Sequence, residues 1–127
     1  MEQDRLAKAL VQSKRMGNLL NEVLDLSQQM AEALDRDDQV AVEMLIAMRQ
    51  EPIGKLEEVK RALEEQAGGL EPEEALRLSL LLNGAEPEEP EEQALAVQVA
   101  VNSRRLKRVL ELDRVLNPKV TRGKSIY

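Results

Sequence analysis

Few residues in this 127-residue chain have the type and spacing to do chemistry. Gly123-Lys124-Ser125 matches the end of a phosphate-binding loop, whose backbone N–H groups and lysine would cradle phosphates. That loop needs a glycine five positions before Gly123, where Pro118 stands, and a helix to follow, where the chain has two residues left. The acidic run Glu86, Glu88, Glu89, Glu91 and Glu92 offers oxygen ligands for a hard cation. A calcium loop wants Asp or Asn at alternate positions and a turn-forming glycine, and Pro87 and Pro90 interrupt that pattern. It reads instead as a solvated acidic linker that places negative charge at a helix N-terminus. Arg104-Arg105-Leu106-Lys107-Arg108 can contact phosphates, but pI 4.8 for the whole chain opposes non-specific nucleic-acid binding. The remaining feature is Asn102, a polar residue in an otherwise apolar stripe; such a residue fixes helix register or faces a partner.

Composition removes most other chemistry. The chain has no His, Cys, Trp or Phe, and its one Tyr is the last residue. Disulfides, Cys/His zinc sites, imidazole acid–base catalysis and aromatic base-stacking platforms are therefore excluded. Carboxylate-pair hydrolysis needs a carboxyl held in an enclosed apolar cleft, which narrow aliphatic bundles rarely provide. The chain is expected to be no enzyme, with no cofactor, no metal and no small-molecule substrate. Met1-Glu2-Gln3-Asp4 is acidic where a signal peptide is basic, and the densest apolar run, Leu78 to Leu82, is too short to span a bilayer. A cytoplasmic location without membrane insertion is the expectation.

The elements that position these residues are helices. In the first segment, about Gln3 to Leu34, Leu6, Leu10, Ser13, Gly17, Leu20, Leu24, Ser27, Ala31 and Leu34 recur at steps of four and three. Met16, Leu19, Val23, Leu26 and Met30 make a second stripe beside it, so this helix touches two neighbours. Its length is roughly 48 Å at the helical rise. Ser13, Gly17, Ser27 and Ala31 permit close approach of another helix. Asp35-Arg36-Asp37-Asp38 is a turn whose aspartates can cap the next helix. That helix, about Gln39 to Gln66, presents Ala41, Leu45, Met48, Leu56, Val59 and Leu63 and is expected to kink at Pro52. Met16, Met30, Met44 and Met48 read as core gap-fillers.

Gly68-Gly69 ends the second helix, and Pro72 opens a short third one carrying Leu76, Leu80 and Leu81 and stopping at Asn83-Gly84. The fourth segment, about Pro90 to Leu116, has the stripe Leu95, Val99, Asn102, Leu106, Val109, Asp113 and Leu116, flanked by Val101 and Leu112. Asn117-Pro118 is expected to stop it. The fold class is thus all-α: an antiparallel bundle of three long helices and one short helix, forming a single domain over residues 1–118. Residues 119–127 are expected to form a flexible basic tail. Residues 103–127 hold eight basic and two acidic groups, a net +6, which leaves −12 on the rest of the chain.

Three places resemble the FlgN-type flagellar export chaperones. They are Leu19-Leu20 with Val23-Leu24 in the long first helix, the turn from Ala33-Leu34-Asp35 through Gln39 to Glu43 with Met48-Arg49-Gln50-Glu51 beyond it, and Asn102-Ser103-Arg104-Arg105-Leu106 in the last helix. The chain departs from the family pattern at Val99, where an additional Asn is frequent, and at Pro52. The resemblance implies a chaperone that binds amphipathic C-terminal helices of hook-associated proteins and keeps them soluble before export. It places client binding in the last helix, on Val99, Asn102, Leu106, Val109 and Leu112. The tail, ending in Ile126 and Tyr127, is expected to cover that surface in the free protein. A homo-oligomeric helical adaptor is the alternative, and a regulator that contacts nucleic acid through the basic arm is a third reading.

Overall fold

The structure is a computed structural model that describes the backbone of residues 1–125 and the side chains of residues 1–120. Four α-helices carry the fold: α1 (Gln3–Asp35), α2 (Gln39–Gly68), α3 (Pro72–Leu82) and α4 (Gln93–Ser125), with a single 3-10 turn at Pro90–Glu92 before α4. No strand occurs among the described residues.

The helix α1 is central. It packs on α2 and on α4, and both of its apolar stripes contribute buried residues, while α2 and α4 have little contact with each other. The first connection is tight: Asp38 Oδ1 accepts the N–H of Ala41 at 3.1 Å, and Asp37 takes a left-handed conformation (φ 57°) that Asp tolerates. α2 therefore returns antiparallel to α1. It passes through Pro52 without a break, and Pro52 is itself buried.

The remaining directions correct the expected antiparallel arrangement. Leu95 packs in the same cluster as Leu6 and Ala9, Asn102 bonds the Ser13 carbonyl, and Leu116 packs with Met30 and Ala33. Residue numbers rise together along both helices, so α4 runs parallel to α1. α3 does the same: Glu74 near its start pairs with Arg5, and Leu82 at its end lies beside Met16 and Leu20. The segment from Asn83 to Glu89 makes the return. Seven extended residues reach about 23 Å, enough to retrace the roughly 16 Å of α3.

Two clusters form the core. The lower one joins Leu6, Ala9, Leu19, Val59, Leu63, Leu78, Leu81, Leu95 and Val99, and the upper one Leu26, Met30, Ala33, Val42, Leu45 and Leu116. Polar residues join the three long helices at the level of the upper cluster. Arg49 of α2 donates from Nη1 to Asp113 Oδ1 of α4 (2.6 Å) and to Ser27 Oγ of α1 (3.0 Å). Arg49 thus takes the inward position expected of Met48, which is 49% exposed. Met44 is exposed as well, so of these four methionines only Met30 and, in part, Met16 fill the core.

The end of α4 also differs from expectation. Pro118 removes the hydrogen bond to the Arg114 carbonyl, yet the helix continues to Ser125, and Val120 packs on the upper cluster. The expected stop at Asn117-Pro118 is therefore overturned, and the stretch expected to be a tail has helical backbone as far as Ser125. Ile126 and Tyr127 lie outside the described residues.

Replacing Met30, which is almost wholly buried, with Ala should lower unfolding free energy by about 2–5 kcal/mol in urea titrations. Arg49→Leu alone leaves Asp113 without its partner and should cost about 2 kcal/mol or more, whereas Arg49→Leu/Asp113→Leu should recover most of that loss.

Candidate functional site

Because α3 is short, it covers only the lower part of the seam between α2 and α4. Above its last turn the seam opens as a cleft of about 530 Å³. Ser13, Met16 and Leu20 of α1 form the floor, Leu63 of α2 one wall, and Val99, Asn102, Ser103 and Leu106 of α4 the other. Leu82, Asn83 and Gly84 close its lower end. Gly84 has φ 98°, a conformation open to glycine, and lets the chain turn away instead of continuing over the cleft.

Asn102 fixes the α4 wall against the floor. Its Nδ2 donates to the Ser13 carbonyl at 2.7 Å, and its Oδ1 accepts from Gln98 Nε2 at 3.0 Å. Gly17 makes this contact possible. A Cβ there would stand 2.7 Å from Asn102 Oδ1 and 2.8 Å from both Gln98 Nε2 and Arg105 Nη1. The absence of a side chain at Gly17 and the amide at Asn102 thus belong to one close crossing of α1 and α4. Asn102 is buried, bonded to α1 and part of the cleft wall at once.

The other expected partner-binding residues are dispersed. Val99 is buried in the cleft wall, and Leu106, expected in the buried stripe, is 46% exposed at the cleft edge. Val109 is buried outside the cleft, and Leu112 packs on the upper cluster. The structure brings Val99, Asn102 and Leu106 together and leaves Val109 and Leu112 apart from them. Met16, Leu20, Leu63 and Leu82 belong to the lining although nothing in their spacing singles them out from other stripe residues. Leu110, 50% exposed, extends the apolar edge one turn above Leu106. Its signal was the i, i+4 pair with Leu106.

Of the acidic run expected to be solvated, Glu86, Glu88, Glu89 and Glu91 are exposed, and only Glu92 departs from the expectation. Glu92 is buried, and its carboxylate receives Arg77 in a two-pronged contact, Nε to Oε2 at 2.9 Å and Nη2 to Oε1 at 2.7 Å. The N–H groups of Glu88 and Glu89 also donate to Oε1. Arg77, assisted by these N–H groups and opposed by burial, holds the Glu92 carboxyl at about 2, well below its ordinary 4.5. This pair ties α3 to the start of α4 and so sets where α3 ends beneath the cleft.

Chemically the cleft offers apolar surface, two amides and two hydroxyls. Among the described residues no group of carboxylates is placed to hold a metal ion, and no helix is long and apolar enough to cross a membrane. No family model, curated protein or solved structure matches the chain.

Glu92 is charged in the folded state at pH values where the unfolded chain binds a proton, so its contribution is full above about 4.5 and is lost as pH falls toward about 2. The urea midpoint should drop across that window, and Glu92→Gln should flatten the drop; a wild-type midpoint constant over the window would contradict the assigned contact. Asn102→Ala should cost about 1–2 kcal/mol in the same assay at neutral pH.

Proposed function

We propose that this chain is a non-catalytic, cytoplasmic chaperone of the FlgN-like type. In this reading it holds an amphipathic C-terminal helix of a hook-associated protein and keeps it from assembling before export. The observation that carries the reading is the apolar cleft above α3, edged by Leu106, beyond which Leu110 lies exposed one turn along α4 in an adjoining shallow hollow. A helix binds such a surface through its own apolar residues at i, i+3 and i+4, and burying that ridge removes the surface by which clients would associate with one another. The floor of Met16 and Leu20 suits this use, because methionine adapts its shape to different guests. Asn102, already bonded to α1, acts in this scheme by holding the wall in register and not by contacting the client. Val109 and Leu112 support α4 from behind.

A purified hook-associated protein, titrated against the full chain by calorimetry, is expected to bind through its C-terminal helix. Leu106→Asp should weaken that binding at least about tenfold, equivalent to roughly 1.4 kcal/mol, while circular dichroism stays unchanged. Absence of binding, or binding indifferent to Leu106→Asp, would remove the proposal.

A further inference from the structure

The cleft has two ends along the seam, and they differ electrically. The lower end is the C-terminus of α3. Its last turn closes on itself, with the Gly84 N–H donating to the Leu81 carbonyl (3.1 Å) and the Ala85 N–H to the Leu80 carbonyl (2.9 Å). The carbonyls of Leu82 and Asn83 follow, and neither accepts a hydrogen bond among the described residues. Both residues line the cleft. Helix carbonyls point toward the helix C-terminus, and α3 runs up the seam. These two groups therefore present the negative end of α3 to the open space above it.

The upper end is a cation. Leu20 and Ser27 stand seven residues apart on α1, as do Leu106 and Asp113 on α4, which returns each pair to the same side of its helix. The Arg49 guanidinium, bonded to Ser27 and Asp113, thus crosses the same seam two turns above the cleft lining. Its Nε is buried without a partner. The adjoining hollow on α4 adds Lys107, Glu111 and Arg114, so Arg49, Lys107 and Arg114 stand against Asp113 and Glu111. From Met16, beside the end of α3, to Ser27 the seam runs roughly 16 Å, about three helical turns.

We infer that a guest helix lies in this seam in one direction, parallel to α1, with its N-terminus against the end of α3 and its C-terminus toward Arg49. This direction rests on the client reading proposed above and deepens it. A helix begins with N–H groups that have no partner of their own and carry partial positive charge. Placed this way they meet the Leu82 and Asn83 carbonyls, and the guest continues the line of α3 over the open seam. Its last carbonyls and its terminal carboxylate then lie toward the guanidinium. A reversed guest would set its carbonyls against those of α3 and its N–H groups toward Arg49, so both ends would be opposed. Macrodipole effects fade beyond the terminal turn, so the two ends decide the direction and the helices alongside do not.

The chain has no cysteine, so one introduced cysteine carries a nitroxide at a single place. Gln50, next to Arg49, and Glu86, just past Gly84, are exposed and mark the upper and lower ends. The probe is an isotope-labelled synthetic peptide of the C-terminal helix of a hook-associated protein, with a free terminal carboxylate, bound to the full chain. Spin-labelled Gln50→Cys should broaden the C-terminal resonances of the peptide, and spin-labelled Glu86→Cys the N-terminal ones. Amidating the peptide's C-terminus should weaken its binding about threefold, the scale of one charge at a helix end. The opposite broadening pattern, or both ends broadened alike by either label, would overturn the direction and leave the client reading standing. So would an amide that binds as tightly as the acid. A peptide that does not bind at all removes both.

Discussion

The structure depends on α1 being packed from two sides at once. α2 and α4 have little contact with each other, so each is held chiefly by the central helix. That requires an apolar face wider than one seam, which the paired stripes of α1 supply. It also requires small residues where a neighbour comes close. Ser13 and Gly17 admit α4, and Ser27 admits the Arg49 guanidinium that joins α2 to α4. Larger side chains at these three positions would push the outer helices away from α1.

From that arrangement the cleft follows. Two helices flanking a third leave a seam, and whatever covers the seam decides how much apolar surface remains accessible. α3 seals the lower part with Leu78 and Leu81, and its end at Asn83-Gly84 leaves the rest open. The Arg77–Glu92 contact anchors α3 to the beginning of α4, and Arg49, Ser27 and Asp113 join α2, α1 and α4 at the level of the upper cluster. Polar contacts thus set the position of the elements, while the apolar clusters supply most of the favourable free energy. The opening meets solvent with Leu106 on its α4 edge, and Leu110 follows one turn along the same helix.

Several features lay open in the sequence because they are local. The four- and three-residue steps from Leu6 to Leu34, the capping aspartate at Asp38, the proline opening α3 and the glycine closing it all act within a turn or two of the chain. Asn102 was visible too, as a polar residue out of place in its stripe. Other features were hidden because they depend on distant residues. Met48 and Arg49 are adjacent, and only Asp113, 64 residues away, makes Arg49 the one that turns inward. Glu92 looked like one more acid in a solvated run until Arg77 enclosed it. Pro118 carries a local stop signal, but packing of Leu116 and Val120 on the upper cluster outweighs it.

The amino-acid order by itself therefore determined that the chain is helical, where its helices begin, and that the first helix has two apolar sides. Tertiary structure alone decided that α4 runs parallel to α1, that α3 shields half of a seam, and that Leu106 stands at an edge and not in the core. The division has a physical cause. Helix formation and amphipathic spacing are set by neighbours within about four residues. Which helix covers which stripe depends on a returning loop and on ion pairs between residues far apart in the chain.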